Sequence, residues 1–370
     1  MAQLRVQPVR DRAIGLAQLA LFHLDPLVNN RVMAAHRLGV YHDLANHFSS
    51  NGLNCAIYGR TEFLKHLEQK GPRRYRLIEC GLEPFNFVRD GDYQASAYTN
   101  SLSDELTEKL RAEYLRLSID PEFIVTNTPS AGLRLAWPEH LILHYELGVF
   151  NRPPFPVYHQ TDPWGFYHKS ALSAFPLLNV DVNERWIKSV TKLREQLLQR
   201  LGVSAADVGS KNCIYFPLQS ADSWPVRLEN PTYDRISSVR KLREAYPDKT
   251  IVVNEKPQSP LTTSERAIIA AIDGVEVIDN ADDFGDGSKH VLISKATATS
   301  SPSLSLQTIF WGNRLCVPHG CSMQTWGSNP SFENLAAYMA LFNFNDPQGL
   351  LKRIGLYKQF WRDRAFIPRI

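Results

Sequence analysis

The run Cys213-Ile214-Tyr215-Phe216-Pro217-Leu218 breaks into the polar string Gln219-Ser220-Ala221-Asp222-Ser223-Trp224, and further along Thr250-Ile251-Val252-Val253 breaks in the same way into Asn254-Glu255-Lys256-Pro257. A helical pattern over residues 234–245 separates the two. Two apolar strands joined by one helix, each ending in polar residues, form a βαβ unit. Open α/β sheets bind ligands outside the carboxyl ends of such strands, so Asp222 and Lys256 are expected at a functional edge.

Outward from this unit the second half alternates: strand 213–218, helix 234–245, strand 250–253, helix 263–272, strand 275–278, strand 291–294, helix 303–310, strand 314–317, helix 331–341. Such alternation implies a parallel sheet flanked on both faces. Upstream, a helix over 183–201 places Trp186, Ile187, Val190, Leu193, Leu197 and Leu201 on one face and stops at Gly202. The chain should divide just beyond it, giving a Rossmann-like domain over 1–205 and a second over 206–350. A basic amphipathic helix over 351–370 follows, either packing back on the first domain or lying on a membrane. The first domain opens with a buried strand ending at Phe22, a helix over 36–50 stopped by Gly52, and a strand at 55–58, with no GxGxxG fingerprint. A helix opened by Ser103 runs to Leu117, strands follow at 123–125 and 141–145, and a long Pro- and aromatic-rich loop extends from Glu146 to Ser170.

The totals set limits. With 370 residues the chain fits two α/β domains, and 44% hydrophobic with 21% charged residues is ordinary globular composition. A net charge of +3 is too small to argue for nucleic acid. Five cysteines, Cys55, Cys80, Cys213, Cys316 and Cys321, read as reduced thiols, three of them in or beside apolar runs. No apolar segment approaches the ~20 residues of a spanning helix, and the first apolar run lacks a small-residue cleavage site. A cytoplasmic protein is expected, with Lys352, Arg353, Lys358 and Arg362 able to meet an anionic inner leaflet.

Several constellations bear chemistry. Glu146-Leu147-Gly148 leading to Arg152 offers a general base and an anion clamp, or an ion pair that pins the loop. His159, Asp162 and Trp164 interleave polar groups with rings, which suits a sugar, or belong to a structured surface loop. Asp222 reads as a nucleophile, a base or a helix cap, and Pro225 weakens the cap. The cluster Thr299, Ser300, Ser301 and Ser303 around Pro302 is richer in hydroxyls than capping needs and suits a phosphate at a helix N-terminus. Cys316, His319 and Cys321 lack a fourth ligand, and Asp279, Asp282, Asp283 and Asp286 fail the EF-hand spacing, so no metal is expected.

Taken together these residues resemble the bacterial capsule-polysaccharide glycosyltransferases of the GT-B fold, a group that includes the Kdo (3-deoxy-manno-octulosonate) transferases and, more distantly, the polysialyltransferases. The likeness rests on the order Glu146-Leu147-Gly148, Arg152-Pro153, Asp162, Gly165 and Ser170, then Gln219 with Asp222, then Ser300-Ser301 and Trp311-Gly312-Asn313-Arg314. Lys256-Pro257 stands where the family has His-Pro, and Leu147 replaces an acidic residue. The resemblance implies two Rossmann-like domains with parallel sheets facing a central cleft, and transfer of Kdo from CMP-Kdo to a glycan or lipid-linked glycan, with retention. It implies catalytic Asp222 and Glu146; a donor site of Gln219, Lys256, Pro257, Ser300, Ser301 and Ser303; an acceptor site of Arg152, His159, Asp162 and Trp164; and no metal or other cofactor. A donor of CMP-sialic acid or a UDP- or GDP-sugar is the alternative, as is a non-catalytic GT-B scaffold of an assembly complex.

Overall fold

The computed structural model describes residues 19–27, 31–82, 90–150, 155–178, 180–220, 226, 228, 232–256, 259–278, 288–318 and 320–362. Two α/β units of Rossmann-like design emerge. The first sheet runs β12-β6-β5-β4-β1-β2-β3, built from β1 (Leu19–His23), β2 (Asn54–Gly59), β3 (Arg76–Glu79), β4 (Pro121–Thr126), β5 (Leu141–Leu147), β6 (His159–Asp162) and, from far along the chain, β12 (Asn343–Phe344). Its pairs are parallel except β5 with β6 and β6 with β12. The second sheet runs β11-β10-β7-β8-β9, all parallel, from β7 (Lys211–Pro217), β8 (Thr250–Asn254), β9 (Val275–Ile278), β10 (Ser294–Ala298) and β11 (Arg314–Cys316).

Strand alternation explains why both faces need cover. Ala20, Phe22, Cys55, Ile57, Phe123 and Val125 feed one core, while Leu21, Ala56, Tyr58 and Ile124 feed another. The first core takes Leu38, Tyr41, Ala45 and Phe48 from α1 (Arg31–Ser50), and the second takes Leu106, Leu110 and Tyr114 from α4 (Asp104–Arg116). Between these helices lie α2 (Thr61–Glu68) and α3 (Asp90–Thr99), and α5 (Ala131–Ala136), α6 (Ala171–Ala174) and α7 (Glu184–Leu201) follow. Local chemistry sets several ends. Ser103 caps α4, Asn183 caps α7, and α7 closes at Gly202 with φ 63°.

Along the second half of the chain come α8 (Arg235–Ala245), α9 (Thr263–Ala270), α10 (Ser288–Ile293), α11 (Pro302–Trp311), α12 (Gln324–Ser328), α13 (Phe332–Phe342) and α14 (Pro347–Arg362). One face of the second sheet, through Ile214, Ile251, Val253 and Ala298, has its own core. The other, through Cys213, Tyr215 and Val252, joins the core of the first unit. Phe150 and Phe155 meet Phe310 and Trp311 at that junction, with Phe150 and Phe310 rings 4.9 Å apart. Each such fully buried ring is worth about 1.5–3 kcal/mol, which holds the units together.

Three expectations need correction. Residues 291–293 are not strand: Val291, Leu292 and Ile293 finish α10, and β10 starts at Ser294. A short apolar run fits a buried helix end as well as a buried strand. The 146–170 stretch is not one loop, because β6 returns antiparallel beside β5. The chain rejoins the first sheet at β12, before residue 351, and α14 then lies against α1 and β5. Leu350, Ile354, Leu356, Tyr357 and Phe360 of α14 are buried there. No helix among the described residues is long and apolar enough to cross a membrane, and none of the five cysteines is in a disulfide.

Candidate active site

β5 brings Glu146 to the carboxyl edge of the first sheet. In the antiparallel β5/β6 ladder His144 faces Asp162 and Glu146 faces Gln160. Residues opposite one another share a face, so these four side chains project together. Tyr145 and His159 fall on the other face, where the Tyr145 hydroxyl hydrogen-bonds His159 Nδ1.

From the second unit, β10 ends at Ala298 and the chain turns through Thr299 into α11. Pro302 occupies the first helical turn, and the Ser301 side chain makes no capping hydrogen bond. Thr299 Oγ1 instead accepts from Ser301 N at 3.0 Å, and the Ser301 and Ser303 hydroxyls stand 3.4 Å apart. A helix start without a side-chain cap offers N–H groups and the positive end of the dipole to an anion.

The two edges meet. Glu146, Gln160, Asp162, Tyr167, Ser301 and Ser303 line one cavity of about 140 Å³. On the far side of the helix start, Gln219, Tyr233, Tyr246, Thr299, Ser300 and Cys316 line a larger, mainly apolar one of about 520 Å³. Arg235 braces its rim, donating to the carbonyls of Gln219 at 3.3 Å, Ser259 at 2.9 Å and Pro260 at 3.2 Å.

Hydrogen bonding, not the direction of titration, separates the two carboxyl groups of the smaller cavity. Burial pushes Glu146 up to about 7, against the charge of Arg37 and the Leu147 N–H. Asp162 is also raised by burial to about 7, but its oxygens are occupied by backbone. Oδ1 accepts from Trp164 N at 2.9 Å and Gly165 N at 3.3 Å, and Oδ2 accepts from Ala171 N at 2.7 Å. Asp162 therefore fastens the 163–171 segment. Burial lowers His144 to about 3 and His159 to about 4, leaving both neutral at pH 7.

Of the residues singled out in the sequence, Glu146, Asp162, Ser301 and Ser303 share one cavity, and Gln219 and Ser300 share the other. Lys256 follows β8, bridges to Ser259 and lines neither. Arg152, Asp222 and Pro257 lie outside the described residues. The acceptor role expected of His159 and Trp164 needs correction. Strand parity turns His159 away toward Tyr145 and Phe344, and Trp164 packs on Phe342 and Phe360, with ring centres 6.2 and 5.9 Å away. Asp162 does line the smaller cavity, and its oxygens also hold the 163–171 loop. Residues not singled out beforehand are Tyr167, Gln160 and Tyr338. Tyr167 carries a φ of 48°, a strained value for a side-chain-bearing residue. Its position in the aromatic-rich run was a signal; Tyr338, from a helix in the other half of the chain, had none.

No protein-family model and no curated protein matches the chain. Among solved structures it is similar to KpsC of Thermosulfurimonas dismutans, described as a beta Kdo 2,7 transferase, at 14% identity and TM-score 0.46, covering 74% of this chain and 97% of that one. It is also similar to a putative UDP-N-acetylglucosamine 2-epimerase from Listeria monocytogenes, at 13% identity and TM-score 0.33, covering 94% and 95%. A third is the E. coli heptosyltransferase WaaC with an ADP-heptose analogue, at 12% identity and TM-score 0.24, covering 94% and 100%. At such identities and TM-scores the likeness says nothing of chemistry, and the residues themselves must carry the rest.

Proposed function

We propose that the chain is a glycosyltransferase of bacterial surface-polysaccharide biosynthesis, capsule or lipopolysaccharide O-antigen, that transfers Kdo from CMP-Kdo to a glycan acceptor with retention. One observation carries this reading. The uncapped start of α11 divides the two cavities, with Ser300 on the wall of the larger and Ser301 and Ser303 on the wall of the smaller, beside Glu146. A nucleoside in the larger cavity sets its phosphate at the helix start and the sugar next to that carboxyl group.

In this scheme the Asp222 carboxylate attacks the anomeric carbon, and the bond to the CMP phosphate breaks. The departing phosphate is stabilised by the helix dipole and the serine hydroxyls. The acceptor oxygen then displaces Asp222 while Glu146 takes its proton, a task suited to a carboxyl group titrating near 7. Gln160 and Tyr167 replace His159 and Trp164 as acceptor contacts. The apolar face of α14 is packed on the first sheet, so peripheral membrane attachment would rest on exposed cations such as Lys352 and Arg362.

Calorimetric titration with CMP, UDP and GDP tests the donor. CMP is expected to bind tightest; a preference for UDP or GDP selects another donor, and binding of none selects the scaffold. Mass spectrometry of the protein incubated with CMP-Kdo should find a glycosyl adduct on Asp222. Inverted product without an adduct would remove Asp222 as nucleophile and leave Glu146 as the sole base.

A further inference from the structure

Val149 lies three residues beyond Glu146, and its peptide is gripped from both sides. Its N–H donates to Asn343 Oδ1 of β12 at 3.2 Å, and its carbonyl accepts from Gln307 Nε2 of α11 at 2.8 Å. Asn343 and Gln307 are buried, at 2% and 4% exposure. Gln307 therefore reaches from the helix that presents Ser301 and Ser303 to the turn that leaves Glu146. It stands one helical turn after Ser303, on the same face of α11. Ser288 Oγ donates to its Oε1 at 3.5 Å, which turns the amide NH₂ toward Val149.

Nothing in this linkage is slack. A side-chain carbon at Gly148 would come within 2.6 Å of Asn343 Oδ1 and 2.8 Å of Tyr158 Cβ, so the turn after Glu146 is packed tight. The next residue, Phe150, packs edge-on against Phe310. Both ends are rigid: β5 holds Glu146 in a sheet, and one helical turn fixes Ser303 relative to Gln307.

We propose that Gln307 is a positioning residue that sets the separation between Glu146 and the serine-bearing start of α11 across the junction of the two units. This rests on the transferase reading for its catalytic consequence, though not for its structural one. A buried carbonyl that loses its donor must move toward water or another partner. Movement of Val149 shifts the turn that leaves Glu146 and so the packing around it, and burial is what holds that carboxyl group above its ordinary range. The other ionisable groups around it are Arg37 and Tyr41 of α1, His144 and Tyr145 of β5, Asp162 of β6, Tyr167, and Tyr338 of α13. None of them is altered in the test.

The experiment compares full-length wild type with Gln307→Met, which fills the space without a donor. The titration of Glu146 is followed by carbon-13 NMR of glutamate carboxyl groups, assigned by its absence in Glu146→Gln; transfer rates and CMP affinity are measured alongside. In Gln307→Met the Glu146 midpoint should fall from about 7 toward the ordinary carboxylate range, and kcat should fall by about 100-fold, the scale of an ångström misplacement. CMP affinity should stay within about twofold, because the larger cavity is a separate site. An unchanged midpoint with an unchanged kcat overturns the proposal. If Gln307→Met does not fold, Gln307→Asn decides by the same readings, since its amide is one methylene too short for Val149. The two readings fail differently: full transfer by Glu146→Gln sinks the catalytic role while leaving the midpoint shift standing.

Discussion

At the carboxyl edge of the first sheet, ionisable groups are packed away from water. Burial raises Asp25 to about 6 and Glu146 and Asp162 to about 7, and lowers His23 and His144 to about 3. The same edge of the second sheet presents Thr299, Ser300, Ser301, Ser303 and apolar walls, and Lys241 is the one charged side chain lining the larger cavity among the described residues. Both edges lie beyond the carboxyl ends of parallel strands, yet they are prepared for different work. Carboxyl groups held near neutrality exchange protons, whereas a neutral, dipole-bearing rim receives an anion without titrating.

The largest expected effect breaks the comparison at its centre. Glu146→Gln should lower transfer by about a thousandfold, within the range for loss of a general base. In wild type, transfer should rise with pH through about 7 as Glu146 loses its proton, and that limb should vanish in the variant. Stability should move the other way. The folded carboxyl group keeps its proton to about pH 7 while the unfolded chain releases it near 4.5, so between these values rising pH favours the unfolded state. At pH 8 the glutamine, which never ionises, should unfold a few degrees higher than wild type. A variant less stable than wild type at pH 8 would mean that Glu146 is held by donors in its ionised form, and the contrast between edges would fail.

Asp162 sharpens the same point, because it is raised to the same value in the same cavity and does something else. Three backbone N–H groups converge on it. Asp162→Ala strands them, and thermal unfolding should report a loss of about 3 kcal/mol. Asp162→Asn, which keeps one acceptor oxygen, should lose less. If both variants keep wild-type stability and lose only transfer, Asp162 belongs to the chemistry after all.

Much of this was legible in the sequence because it is local. The βαβ unit at 213–253, the helix closed by Gly202 and the proline-started α11 follow from apolar period and end chemistry, and each lies within two residues of its reading. Glu146 and the serine cluster were recognisable as residue types. Their sharing of one cavity was not, since it depends on how two distant edges meet. His159 and Trp164 misled for a definable reason: β6 has only four residues, too short to show alternation against the aromatic run around it. Without the strand, the parity that sends His159 inward and Asp162 to the cavity face is invisible. The return of the chain through β12 is just as hidden, because two residues carry no periodic signal.

The smallest effect belongs to the amino edge of the first sheet, where charge is paired near solvent rather than buried. Lys358 of α14 bonds Glu122 of β4, with side chains 20% and 29% exposed. Arg134 lies 4.4 Å over the Trp361 ring, and His140 meets Asp120 at 2.7 Å. Partly exposed pairs of this kind contribute about 1 kcal/mol or less and are screened by salt. What holds α14 is its apolar face together with Tyr357, whose hydroxyl contacts Thr161 Oγ1 at 3.0 Å and Leu341 O at 2.9 Å. Lys358→Ala should therefore lower the unfolding temperature by no more than about two degrees at low salt, and by less still at molar salt. Its pH profile of transfer should overlay wild type, because the pair sits at the opposite end of β4 and β5 from Glu146. A displaced profile would mean that charge at one edge of this sheet is felt at the other, and that the titration of Glu146 is set by the whole unit rather than by its own cavity.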